Sequence, residues 1–180
     1  MRFSLKSYNF DRINKTAHFC FENSGIEFTE TVEFNNVIED YNRDALDKAL
    51  FLAFVLIGTS YYKAFPHHDV DVKTFDIDEV QASFFDSVYQ EGLSQYAYEN
   101  KINREDLGHF KANIGSNSEP VNYQANDDNP LVLQSGGKDS LLLAQLLKNK
   151  GQNFSPWHMA NSSAYPKVLD TFGQPVIKSN

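Results

Sequence analysis

The hexapeptide Ser135-Gly136-Gly137-Lys138-Asp139-Ser140 places two glycines, two hydroxyls, a cation and a carboxylate in six consecutive positions. It follows the apolar triplet Leu131-Val132-Leu133 and precedes an amphipathic run from Leu141 to Lys150. That order spells a strand, a turn and a helix. The first turn of a helix carries backbone N–H groups with no partner inside the helix, and they form a ready site for an anion. Consecutive glycines let a phosphate approach them without a Cβ in the way, and the positive end of the helix dipole adds to the attraction. The familiar phosphate loop demands Gly, four residues, Gly-Lys and then Ser or Thr. This chain departs from it twice, with Val132 at the first glycine position and Asp139 at the hydroxyl position. A carboxylate beside bound phosphates makes chemical sense when a magnesium ion lies between them, or when pyrophosphate is the group held and released.

The six residues resemble the Ser-Gly-Gly-x-Asp-Ser loop of the ATP pyrophosphatase (PP-loop) superfamily. At an average usage of roughly 7% per residue type, five fixed positions arise by chance in a chain of this size less than about once in a thousand. The resemblance implies ATP and Mg2+ as the groups bound, with ATP cleaved between its α- and β-phosphates and a substrate oxygen adenylylated. It further implies that Gly136, Gly137 and the neighbouring N–H groups hold the pyrophosphate portion, that Ser135 and Ser140 add hydroxyl donors, and that Asp139 approaches the metal. Lys138 occupies the family's variable position and is available to assist phosphate binding.

Three further stretches extend the likeness: Tyr61-Tyr62-Lys63-Ala64, Phe84-Phe85 leading into Glu91 to Asn100, and Leu131 to Ala144. Together they resemble the N-terminal half of the UDP-N-acetylmuramoyl-L-alanyl-L-glutamate epimerases, bacterial enzymes of peptidoglycan-precursor synthesis. The implied reaction is ATP-dependent inversion of the terminal L-glutamate through an acyl adenylate, on a UDP-linked muramoyl dipeptide. The alternatives are another PP-loop adenylylating enzyme, either an amide ligase or an RNA-modifying one, and a non-catalytic nucleotide-binding fragment. The catalytic base is not legible. Lys63, Tyr96, Tyr98 and Glu99 lie in the resembling segments, but aromatic residues on amphipathic helices belong more often to cores or interfaces than to catalysis. His67-His68-Asp69 reads as a solvated loop, since adjacent ligands rarely converge on one ion and no third partner follows at helical or hairpin spacing.

The elements that must position these residues fall into two groups. Residues 1 to 34 alternate apolar and polar side chains, with the hairpin signal Asn23-Ser24-Gly25, and predict a strand meander. From Asn42, a candidate N-cap, apolar residues recur at helical spacing through Ile57, predicting a helix that ends near Gly58 or runs on to Tyr62. Asp78 to Tyr98 predicts one or two more helices, broken at Gly92, with Val80, Phe84, Phe85, Val88 and Tyr89 on one face. After Pro130 a short buried strand at 131–133, a helix from Leu141 to Lys150 closed by Gly151, and strands near Phe154 to Ala160 and Val176-Ile177 predict a parallel sheet. The expected fold class is therefore an α+β N-terminal region at 1–114, a Gly/Ser/Asn/Asp-rich linker at 115–130, and the start of an α/β parallel-sheet domain at 131–180. The resemblance identifies that last domain as adenine nucleotide alpha hydrolase-like. Three strands fall short of the about five that such a nucleotide-binding sheet normally carries, so the domain is expected to be incomplete and the chain alone to lack full catalytic competence.

Composition narrows the partners. With 41% hydrophobic residues, 15 Phe and 9 Tyr among 180, the chain can bury a substantial core. Net charge is −8 overall, divided into −11 over residues 1–130 and +3 over 131–180. An acidic front repels phosphate backbones, which argues against nucleic acid as a partner, whereas the basic tail suits a small polyphosphate. Cys20 is the only cysteine, so no intrachain disulfide or multi-thiolate metal site can form. The most apolar run, Ala49 to Ile57, is shorter than a membrane span needs, and the N-terminus lacks a signal-peptide layout. The reading is a cytoplasmic, bacterial protein with no membrane partner.

Overall fold

The computed structural model describes residues 2–35, 41–113, 121, 123–124, 129–159 and 166–179. The linker expected at 115–130 lies mostly outside them. The chain divides into two compact units, one of Met1–Phe10, Ala17–Thr31 and Asn42–Val121, the other of Asp11–Thr16, Val32–Tyr41 and Asn122–Asn180.

The meander forms as its alternation predicts, with strands β1 (Phe3–Asp11), β2 (Thr16–Asn23) and β3 (Ile26–Glu33). Ser24 (φ 54°) and Gly25 (φ 84°) make a two-residue turn with both central residues left-handed, the geometry that matches the twist of a hairpin. Helix α1 (Arg43–Tyr62) begins where the Asn42 side chain accepts the Ala45 N–H at 2.9 Å. It turns Leu50, Phe51, Phe54, Val55, Gly58 and Tyr62 inward. Phe54 is fully buried, its ring centroid 5.4 Å from Tyr8, 6.0 Å from Phe19 and 5.0 Å from Phe21. At 20 residues and a mean hydropathy of 1.3, α1 is longer than its most apolar stretch suggested, and passes for a membrane span by length and composition. Phe51, Phe54 and Tyr61 spend part of that apolar character on ring contacts with the meander, whereas Leu52 and Leu56 stay exposed.

Two strands escaped the sequence reading. β4 (Asp69–Val72) lies parallel to β1, pairing Phe3 with Val70, and β5 (His109–Phe110) lies parallel to β4. The sheet order is β3-β2-β1-β4-β5. Segments of four and two residues carry almost no periodic signal and exist because an edge is available to pair with.

Helices α2 (Glu79–Gln90) and α3 (Ser94–Asn100) separate around Gly92, as expected. Asp78 and Gln81 form a reciprocal capping box at the start of α2. The predicted apolar face needs correction. Ala82, Phe85 and Tyr89 are the buried stripe, whereas Val80 and Phe84 are exposed. The spacing 82, 85, 89 follows one helical face, and 80 and 84 fall on another.

In the second unit β6 (Leu131–Leu133), β7 (Ser155–Met159) and β8 (Ile177–Ser179) form a parallel sheet in that order. Between β6 and β7 runs α4 (Lys138–Asn149). Gly151 (φ 67°) closes it, with the N–H groups of Gly151 and Gln152 bonding back to the carbonyls of Lys148 and Leu147. The unit's core gathers Val132, Ala144 and Phe154, with Leu147 and Phe172 against them. Only Val132 of the β6 triplet is buried; Leu131 and Leu133 are each 56% exposed. Strand alternation puts Val132 against α4 and the two leucines on the opposite face.

Candidate functional site

The hexapeptide is the junction between β6 and α4. Helix α4 starts at Lys138, three residues before the expected Leu141, so half of the motif belongs to the helix itself. Gly137 is the N-cap, in extended backbone (φ −80°, ψ 169°), and supplies no side chain to cap the first turn. The helical ladder begins with the Leu141 N–H donating to the Gly137 carbonyl at 3.1 Å. The N–H groups of Lys138, Asp139 and Ser140 precede that bond, at the position where an anion binds a helix N-terminus.

Gly136 turns the chain from strand into helix with φ 79°, a left-handed conformation that favours glycine. A Cβ there would meet Pro166 Cβ at 2.7 Å and Cγ at 2.8 Å. The hydroxyls brace the turn from inside. The Gly137 N–H donates to Ser135 Oγ at 3.3 Å, Ser140 Oγ donates to the Gly137 carbonyl at 3.0 Å, and the two serine oxygens lie 3.5 Å apart. Both hydroxyls are thus tied to the loop's own shape. Lys138 and Asp139 are exposed.

Asp139 stands in the first turn of α4, where the helix dipole favours a carboxylate. Among the described residues no group of three or more His, Cys, Asp or Glu could hold a metal ion. A single carboxylate beside a phosphate site fits magnesium, which is commonly held by one or two carboxylates plus substrate phosphates. It does not fit zinc, which takes three or four protein ligands. The donor set here is one exposed carboxylate, the kind that magnesium takes together with phosphate oxygens.

Two residues that the motif does not include hold the loop in place. Gln134, fully buried, donates its backbone N–H to the Trp157 carbonyl at 2.7 Å and its side-chain Nε2 to the Ser140 carbonyl at 3.0 Å. His158 on β7, also buried, donates Nδ1–H to the Gln134 carbonyl at 2.6 Å. A glutamine at the end of an apolar strand was the available sequence signal. Pro166 carried none, since it approaches Gly136 only through the fold.

The other candidates lie in the first unit, and the contacts given for them stay within it. Tyr96 Oη donates to the Lys63 carbonyl at 2.9 Å, which closes the end of α1. Glu99 accepts from Gln95 one helical turn away at 2.9 Å, and Tyr98 is almost fully exposed. Of His67-His68-Asp69, read as a solvated loop, His68 and Asp69 are exposed, and only His67 departs from that reading by being half-buried. His67 Nε2 lies 2.7 Å from Ser24 Oγ, its carbonyl accepts Tyr62 Oη at 2.8 Å, and burial lowers its pKa. Asp69 opens β4, and His68 Nδ1 lies 3.1 Å from its carboxylate. Burial likewise pushes Tyr62 up to about 12, outweighing its backbone hydrogen bonds.

Residues 1–180 match the family described as the MurL N-terminal domain. Among curated proteins the chain is 26% identical, over 97% of its length, to a UDP-N-acetyl-alpha-D-muramoyl-L-alanyl-L-glutamate epimerase of Salinispora tropica, of which it covers 40%. It is 28% identical, over 90% of its length, to a protein of that name from Xanthomonas oryzae pv. oryzae, covering 36% of it. A third, from Micromonospora sp., is 29% identical over 95% of the chain, and 40% of it is covered. The chain therefore spans 36–40% of the length of these relatives. No solved structure matches it.

Proposed function

Because this chain belongs to the MurL N-terminal domain family, we propose that it is part of an ATP-dependent epimerase acting on the terminal L-glutamate of UDP-N-acetylmuramoyl-L-alanyl-L-glutamate. The observation that carries the reading is the uncapped N-terminus of α4, reached through Ser135-Gly136-Gly137 at the end of a parallel strand. In open α/β sheets, nucleotides bind beyond the carboxyl ends of the strands, which is where this loop lies. The adenine nucleotide alpha hydrolase-like architecture and the PP-loop superfamily belong to the same proposal.

The chemistry is coherent. The α-proton of a carboxylate resists removal because the resulting dianion is poorly stabilised, whereas an acyl adenylate behaves as an activated ester within reach of an ordinary general base. In this chain the first-turn N–H groups of α4 and the glycine backbone would hold the β- and γ-phosphates while the glutamate α-carboxylate attacks the α-phosphate. Ser135 and Ser140 would keep the loop in shape around the departing pyrophosphate. Asp139 would hold the magnesium ion, which supplies charge neutralisation to the phosphates when bound. Hydrolysis of the adenylate after inversion leaves the D-glutamate form, AMP and pyrophosphate. Both the nucleotide and the UDP-linked substrate suit a cytoplasmic setting.

The test is to incubate a protein that carries this chain at the length of its curated relatives with ATP, Mg2+ and the muramoyl dipeptide. Pyrophosphate release and glutamate chirality are then followed together. Release with inversion is the expected result. Pyrophosphate with unchanged chirality would favour another adenylylating enzyme, and ATP binding without pyrophosphate a non-catalytic nucleotide-binding module.

A further inference from the structure

Gln134 lies just before the hexapeptide, and three elements meet on it. Its backbone N–H and carbonyl are both taken by β7, through the Trp157 carbonyl and His158 Nδ1. Its side-chain Nε2 crosses the loop to the Ser140 carbonyl in the first turn of α4. That contact fixes which end of the amide is which, because the reversed orientation would set two oxygens against each other. The consequence is that Oε1 is buried with no hydrogen-bond partner among the described residues, in a residue with no exposed surface. Leaving a buried acceptor unsatisfied costs as much as, or more than, a neutral hydrogen bond such as that of Nε2 contributes. An apolar side chain of the same length would therefore serve stability at least as well. The amide thus stands where it brings the fold no net stability.

We propose that Gln134 is a positioning residue of the nucleotide site, which fixes the first turn of α4 relative to β6 and β7 so that its N–H groups converge on the phosphates. This rests on the reading of the hexapeptide as an ATP site. The alternative is a purely structural glutamine, and the two diverge for a near-isosteric replacement. Gln134→Met removes the Nε2 bond and the orphaned acceptor together, so the two effects on stability oppose each other. The tether between the loop's two ends is lost in either case.

The experiment uses the protein at the length of its curated relatives. ATP affinity in the presence of Mg2+ is measured by calorimetry, and stability by thermal unfolding, for the unaltered protein, Gln134→Met and Gln134→Glu. The expected result is unchanged or slightly raised Tm for Gln134→Met with ATP affinity weaker by about tenfold, equivalent to 1.4 kcal/mol. Gln134→Glu, which brings an anion beside the Ser140 carbonyl and the phosphates, is expected to weaken binding further. Unaltered ATP affinity in Gln134→Met overturns the proposal, as does an affinity loss that only tracks a fall in Tm. Failure of the unaltered protein to bind ATP at all would instead overturn the reading of the hexapeptide.

Discussion

The two adjacent glycines of the loop are expected to respond to alanine in opposite ways, which makes them a stringent test of the site's geometry. At Gly136 the left-handed backbone (φ 79°) penalises an L-residue by about 1–2 kcal/mol. The new Cβ would also stand 2.7 Å from Pro166 Cβ, and relieving such an overlap in a packed region costs about 1–3 kcal/mol. Gly136→Ala is therefore expected to destabilise the second unit by about 2–5 kcal/mol. Gly137 has ordinary extended backbone, and its Cβ would meet only Ser135 Oγ, at 3.4 Å. Losing glycine at the N-cap costs a few tenths to about 1 kcal/mol, and the stiffer unfolded chain returns about 0.4–1 kcal/mol. Gly137→Ala should thus leave stability within about 0.5 kcal/mol of the starting protein while its methyl group obstructs a phosphate approaching the first turn of α4. Urea unfolding of the chain reads both effects through Trp157, its one tryptophan, which sits on β7 beside the loop. ATP affinity is measured in parallel. Equal unfolding midpoints for the two variants, or a larger loss in Gly137→Ala, would refute the conformation assigned to this turn. Undiminished ATP binding by Gly137→Ala would refute the phosphate approach.

Asp139→Ala should abolish Mg2+-dependent pyrophosphate release with a stability change below about 1 kcal/mol, the worth of one carboxylate at a helix N-terminus; unchanged activity would remove Asp139 from the site. Phe54→Ala should cost about 3–5 kcal/mol in urea unfolding, because Phe54 is fully buried among Tyr8, Phe19 and Phe21. The pKa of His67 is lowered from its usual 6.5 chiefly by burial, so the folded chain favours the neutral ring. Below about 6.5 the unfolded chain takes up the proton more readily, so the stability His67 contributes is present above that pH and is lost as pH falls through it. His67→Gln should flatten the decline in unfolding free energy between about pH 7.5 and 5.5, and an unchanged slope would show that His67 does not titrate differently on folding.

Local order was largely legible in the sequence. The hairpin at Ser24-Gly25, the cap at Asn42, the start of α2 at Asp78, the Gly151 closure and the parallel succession β6-α4-β7 each follow from chemistry within a few residues of chain. The strand–turn–helix setting of the hexapeptide was legible for the same reason, because it is contiguous in the chain. What the tertiary structure decided is what touches across the chain. β4 and β5 are too short to signal themselves and exist through pairing with β1 and with each other. The buried face of α2 passes through Ala82, Phe85 and Tyr89 because of what α2 packs against, although Val80 and Phe84 are as apolar. His67 became a half-buried partner of Ser24 from 43 residues away. At the site, the sequence determined which groups could meet a phosphate. Only the fold brought Pro166 against Gly136, His158 onto the Gln134 carbonyl and Gln134 onto Ser140, because steric exclusion and hydrogen bonding act at a few ångströms between residues that spacing along the chain does not connect.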